Sequence, residues 1–140
     1  MAQVCIPFKA DFEYPMLSGK KYATSRTKKL GHTGDTFEAW DALFVILEVK
    51  HLPLSEIAKS YHEAEGFDTP AGFRHIWREI HPERGFDPGQ WVWIHFFKLV
   101  RHPGEKVLNI DGPLDQFIEA NEVEIELEAC KHLVNGGVKP

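Results

Sequence analysis

The sequence predicts an α+β fold, a small curved sheet or barrel with helices laid against it. Three observations carry that expectation. Two long apolar runs, LFVILEV (43–49) and QWVWIHFFKLV (90–100), have the β-branched and aromatic composition of buried strands. Between them, LSEIAKSYHEAEG (54–66) and AGFRHIWREI (71–80) repeat apolar residues with helical period. The elements do not follow the regular βαβ alternation of a doubly wound sheet.

Taken in order, QVCIPFK (3–9) suits a short edge strand, because Pro7 forbids a central one. Tyr14, Met16, Leu17, Tyr22 and Ala23 suit a short helix interrupted near Gly19. Gly31 and Gly34-Asp35 are turn signals that introduce a strand. TFEAW (36–40) and LFVILEV flank Asp41-Ala42 as a tight hairpin. The second of these strands is apolar on both faces, which predicts a central, covered position. His51 to Pro53 reads as a corner. Ser55 is positioned to cap the helix that follows, and Gly66 to stop it.

Thr69-Pro70 is an N-cap followed by proline at the first helical position. Phe73, Ile76, Trp77 and Ile80 then make the apolar stripe. HPERGFDPG (81–89) is a loop. On the strand after it, Trp91, Trp93, His95 and Phe97 share one face, and Val92, Ile94 and Phe96 the other. Pro113 starts a last helical stripe through Leu114, Phe117, Ile118, Asn121, Ile125, Ala129 and Leu133, ended by Gly136-Gly137.

The chain of 140 residues has the size of one domain. Its 43% hydrophobic content and four Trp place it among globular chains rather than disordered ones. Cys5 and Cys130 cannot make a disulfide framework or a Cys-rich zinc site, which points to a reducing cytoplasm. No apolar run approaches the ~18–20 residues that span a bilayer. The start lacks the charged-then-apolar pattern of a signal peptide. The expected protein is soluble and cytoplasmic, with no membrane partner.

A net charge of −5 and a pI near 5.9 argue against indiscriminate coating of nucleic acid. Against that acidic background, Lys20, Lys21, Arg26, Lys28 and Lys29 cluster before the first acidic residue of the stretch, Asp35. Lys21, Thr24 and Arg26 have the spacing K-x-x-T-x-R. A threonine hydroxyl is a poor nucleophile unless a base takes its proton, and a lysine is such a base only when burial or like charge lowers its pKa. Arg26 has the fork that holds phosphate or carboxylate. The same cluster also reads as a solvated charge run.

Glu65 falls on or beside the apolar helix face, where a carboxylate serves as acid or base or simply reaches out to water. His95 lies between aromatics on a strand, in the place of a core or barrel-wall histidine. No H-E-x-x-H or Cys/His pairing supports a metal site. Trp40, Trp77, Trp91 and Trp93 are either core or stacking surfaces for a nucleobase.

In this order, MLSGKKYATSR, GHTGDTF, the helix ending YHEAEGF, and FRHIWREIHPERGFDPGQWVWIHFF resemble an ASCH domain over about residues 8 to 99. Gly19, Lys21, Thr24 and Arg26 match the family's G-x-K-x-x-T-x-R pattern, with Lys20 in the position directly after the glycine. The resemblance implies a PUA-like small mixed β-barrel with flanking α-helices over residues 1–102. Residues 103–140 then form an extra C-terminal helical extension on the same domain. That extension either covers one end of the barrel or mediates a homodimer.

The implied partner is RNA or a modified nucleoside, with no cofactor and no DNA. One branch of the family hydrolyses N4-acetylcytidine. Carried over, its catalytic set is Lys21 as base, Thr24 as nucleophile and Glu65 to orient Lys21 or handle the leaving-group proton. Lys20, Arg26, Trp40 and His95 are the candidate substrate contacts. The long tail and HPERGFDPGQ depart from that branch. Two alternatives stay open: a non-catalytic RNA- or nucleotide-binding module, and an RNA-cleaving protein that uses Lys21, Thr24 and Arg26 around a phosphate.

Overall fold

A computed structural model describes residues 2–104; the helix expected after Pro113 and the extension beyond Gly104 lie outside the described residues. Four strands, β1 (Ala23–Arg26), β2 (Thr36–Ala39), β3 (Ala42–Pro53) and β4 (Trp91–Arg101), form one antiparallel sheet in the order β1-β4-β3-β2. Register shifts between Leu43 and Phe44 and between Ile46 and Glu48 help curl it into a half-barrel. Three helices accompany it: α1 (Glu13–Leu17), α2 (Leu54–Ser60) and α3 (Pro70–Ile80). The α+β class predicted from the two apolar runs is the one observed.

The two apolar runs are the central strands of the sheet, the position expected for the first of them, and they sort their side chains by face. Val92 and Ile94 enter a cluster with Leu54, Ile57, Ala58, Phe73 and Trp77 from α2 and α3. Phe97 enters the opposite cluster with Ile6, Met16, Phe37, Phe44 and Ile46. There Phe37, Phe44 and Phe97 form mutual contacts with ring centroids 5.1 to 5.5 Å apart. Such pairs each add about 0.5–1.5 kcal/mol beyond area burial.

Several local expectations shift. QVCIPFK makes a single parallel bridge, Gln3 to Thr36, rather than a strand; Val4 N donates to Thr36 O at 2.7 Å, and Pro7 then has no N–H to continue. The hairpin loop is Trp40-Asp41, one residue earlier than Asp41-Ala42, since Ala39 pairs with Ala42. Both loop residues take positive φ, 51° and 61°, as a type I′ turn demands. The bulky Trp40 accepts this strained region while packing 5.9 Å from Phe8. His51 to Pro53 is no corner, because β4 is long enough to pair with it up to Trp91.

The 54–66 helix closes at Ser60, and residues 61–66 are turns. Ser55 lies inside α2 and does not cap it; its N–H donates to Pro88 O. Thr69 does cap α3, accepting from Gly72 N at 3.0 Å.

Candidate functional site

The turn that follows α2 builds the polar heart of the molecule. Tyr22 N and Ala23 N both donate to Ala64 O, so the start of β1 is stitched to residues 64–66. Gly66 has φ +99°, and a Cβ there would stand 3.0 Å from Lys21 Cβ. Conformation and close approach together demand glycine at that position.

This stitching drives Lys21 and Glu65 inward, at 2% and 4% exposure. The Lys21 amine donates to Ala23 O at 2.8 Å, Glu65 O at 3.0 Å and Glu65 Oε1 at 3.2 Å. Three acceptors around one amine call for three N–H donors, which only the ammonium has. Its charge also lies 4.8 Å from the Phe12 ring centroid. Burial lowers the Lys21 pKa, and the Glu65 charge opposes that shift. The second carboxylate oxygen of Glu65 accepts from the Ser25 hydroxyl. Glu65 thus holds Lys21 and Ser25 at once.

Thr24, one residue along, alternates to the other face of β1. Its hydroxyl accepts from Arg26 Nε at 3.2 Å. Arg26 donates through its terminal nitrogen to Pro7 O and lies 4.9 Å from the Phe8 ring centroid. Burial brings this guanidinium down to about 10, opposed by Glu65, and it stays cationic at neutral pH. Among the described residues no carboxylate lies within salt-bridge distance of Arg26. The His81 ring lies in the same field: burial lowers its pKa first, then the positive charges of Arg84, Arg26 and Lys9.

His95 is opposite Thr24 in the sheet and has no exposure. Its Nε2 accepts from Leu30 N at 3.0 Å, so the neutral ring carries its hydrogen on Nδ1, 3.3 Å from Thr24 O. Burial lowers its pKa. The imidazole ties the basic 27–35 loop to the sheet, and both of its nitrogens are engaged by main chain.

The structure therefore brings Lys21 and Glu65 together, and Thr24 with Arg26. Lys20 points away and pairs loosely with Asp68 at 3.6 Å, both largely exposed. Trp40 sits at the hairpin tip. An open cleft of about 470 Å³ between α1 and the second half of β4 is lined by Lys21, Tyr22, Leu47, Phe97 and Lys98 among others. Of the predicted site residues Lys21 alone lines it. Among the described residues no group of three or more His, Cys, Asp or Glu is placed to hold a metal ion. Ser25 was not singled out from sequence. Its only signal was a second hydroxyl beside Thr24 on a strand whose two faces both turn out to be covered.

No family model matches the chain, and no curated protein aligns with it. Solved structures do match. A protein of Enterococcus faecalis described under the family model DUF984 superposes with TM-score 0.53 at 17% identity, covering 77% of this chain and 84% of that one. An ASCH domain from Lactobacillus crispatus gives 0.53 at 16%, over 72% of this chain and 80% of that one. A mutant of the ASCH protein of Zymomonas mobilis gives 0.53 at 14%, over 78% and 76%. The chain has the fold of the ASCH-domain structures, as the order of its sequence motifs implied.

Proposed function

We propose that the protein recognises RNA or a modified nucleoside through the Thr24–Arg26 end of β1. The supporting observation is Arg26. A half-buried guanidinium that stacks on Phe8, orients the Thr24 hydroxyl and lacks a carboxylate partner among the described residues is set for an anionic or carbonyl oxygen from outside. The ASCH fold of the solved neighbours agrees with this reading. Direct titration with a nucleoside monophosphate tests it. Micromolar-to-millimolar binding that disappears in Arg26→Ala is expected, and binding indifferent to Arg26 overturns the assignment.

A second reading is hydrolysis of an N4-acetylcytidine-type amide, favoured by the buried Lys21–Glu65 pair. Transfer of one ammonium proton along the 3.2 Å contact to Glu65 leaves a neutral amine three residues before Thr24. That amine takes the Thr24 proton as the hydroxyl oxygen bonds the acetyl carbon. Collapse breaks the C–N bond, N4 takes a proton, and cytidine leaves; water then releases acetate from the Thr24 ester. As observed, all three Lys21 hydrogens are committed, and Thr24 is turned to Arg26. Recognition therefore comes first. Release of cytidine by the wild type, abolished in Thr24→Ala, would establish the hydrolase; binding without turnover leaves recognition alone.

A further inference from the structure

The end of the sheet beside Arg26 carries a row of side chains that neither core uses. Arg26 on β1 is paired with Trp93 on β4, and Trp93 with His51 on β3. Directly opposed residues share a face, so the three project from one side of the sheet. Trp91, two residues before Trp93, projects from that side too. The His51 and Trp93 rings are stacked at 4.0 Å with 8° between planes, and the Trp91 and His51 rings make a T-shaped pair at 5.3 Å with 63° between planes. His51 is exposed, and Trp91 is 57% exposed.

Lys29 places its ammonium 5.5 Å from the Trp93 ring centroid, and Lys28 beside it is exposed. Among the described residues neither lysine has a carboxylate within salt-bridge distance.

We infer that this row is a stacking platform for single-stranded RNA, with Trp91 offering a ring face to a base and Lys28, Lys29 and Arg26 meeting the adjoining phosphates. The inference rests on the proposed recognition at Arg26 and extends it from one nucleotide to a strand. Three features select this occupant. The rings are flat and held in place by one another, so little ordering is needed before a base stacks on them. The charge around them is positive, complementary to a phosphate chain. Arg26 belongs both to the row and to the Thr24 site, so one strand can run continuously from platform to site. Aromatic faces interleaved with cations are how sequence-tolerant single-strand binding is built.

The full-length protein is titrated with uridine monophosphate and with a short single-stranded oligouridylate, in the wild type, Trp91→Ala and Trp91→Phe. The platform predicts that the oligomer binds more tightly than the monophosphate. Trp91→Ala should weaken the oligomer about 5- to 100-fold while leaving the monophosphate unchanged, and Trp91→Phe should recover most of the loss. If the monophosphate binds but the oligomer gains nothing, or Trp91→Ala weakens neither, the platform is overturned and the Arg26 site stands. If neither ligand binds, both fail. Light scattering on the same variants covers the other occupant: a dimeric wild type made monomeric by Trp91→Ala identifies the row as a surface between copies and overturns the RNA assignment.

Discussion

Two polar regions sit at opposite sides of one short strand, and they treat charge in opposite ways. Around Lys21 every donor is spent inside the protein: on Ala23 O, on Glu65 O and on the Glu65 carboxylate, whose other oxygen takes Ser25. Around Arg26 the guanidinium meets a hydroxyl, a carbonyl and a ring, but no carboxylate among the described residues. The first arrangement is closed and specifies the fold. The second is the one proposed to meet a ligand. The lesson is that net charge in a basic stretch says little until the partners of each cation are known. A buried ion pair is a weak source of net stability, yet losing one half of it is costly.

The largest effect should therefore come from cutting the closed region. Lys21→Met leaves the Glu65 carboxylate buried without its cation and should cost about 3–5 kcal/mol, read from urea unfolding. Adding Glu65→Leu removes the orphan charge, so the double variant should recover much of that loss. If Lys21→Met costs under about 1 kcal/mol, the pair is solvated and the contrast between the two regions collapses.

His95 lies between the regions and offers a smaller, pH-dependent test. Its ring is neutral when folded, because Nε2 accepts from Leu30, and burial lowers its pKa below the ordinary 6.5. The unfolded chain takes up the proton first as pH falls. Stability should accordingly be constant above about 6.5 and decline below it, until the folded imidazole is itself protonated. His81 shifts in the same direction, so the comparison is with His95→Gln in a His81→Gln background. A pH dependence just below about 6.5 that survives removal of both histidines assigns the effect elsewhere. Asp35 is separable, since hydrogen bonds from Ala2 and His32 lower its pKa and its contribution is lost only further into the acid range.

The smallest effect belongs to Lys20. Its 3.6 Å pairing with Asp68 is exposed at both ends, and exposed pairs contribute little. Lys20→Ala should leave the denaturation midpoint and monophosphate binding unchanged within error. A clear loss of binding would move the site from Arg26 toward the α1–β1 turn and blur the distinction between the neighbouring lysines.

Much of this architecture was legible beforehand. The LFVILEV and WVWIHFFKLV runs were readable as strands from their β-branched and aromatic composition, and the first as central because it is apolar on both faces, although Leu47, Trp91 and Val100 are exposed. Thr69-Pro70 announced α3 through capping chemistry that operates within four residues. The two faces of β4 followed from alternation alone. Elements that depend on partners were less legible. β3 runs through His51–Pro53 because β4 supplies a strand to pair with, and the hairpin loop sits at Trp40-Asp41 because Ala39 faces Ala42.

The site divides in the same way. The sequence by itself determined which residues carry charge and hydroxyls, and that Lys21, Thr24 and Arg26 lie within a few residues of one another; Glu65, expected at the edge of a helical face, lies in the turn after α2. Only the tertiary structure decided their partners. Glu65 reaches Lys21 across 44 residues of chain, and His95 meets Leu30 across 65. Periodicity and capping are local and survive in any one-dimensional reading. The inward turn of Lys21 over Lys20, the pairing of Thr24 with Arg26, and the register that lines up Arg26, Trp93 and His51 arise from contacts between distant segments. Those contacts exist only once the sheet has formed.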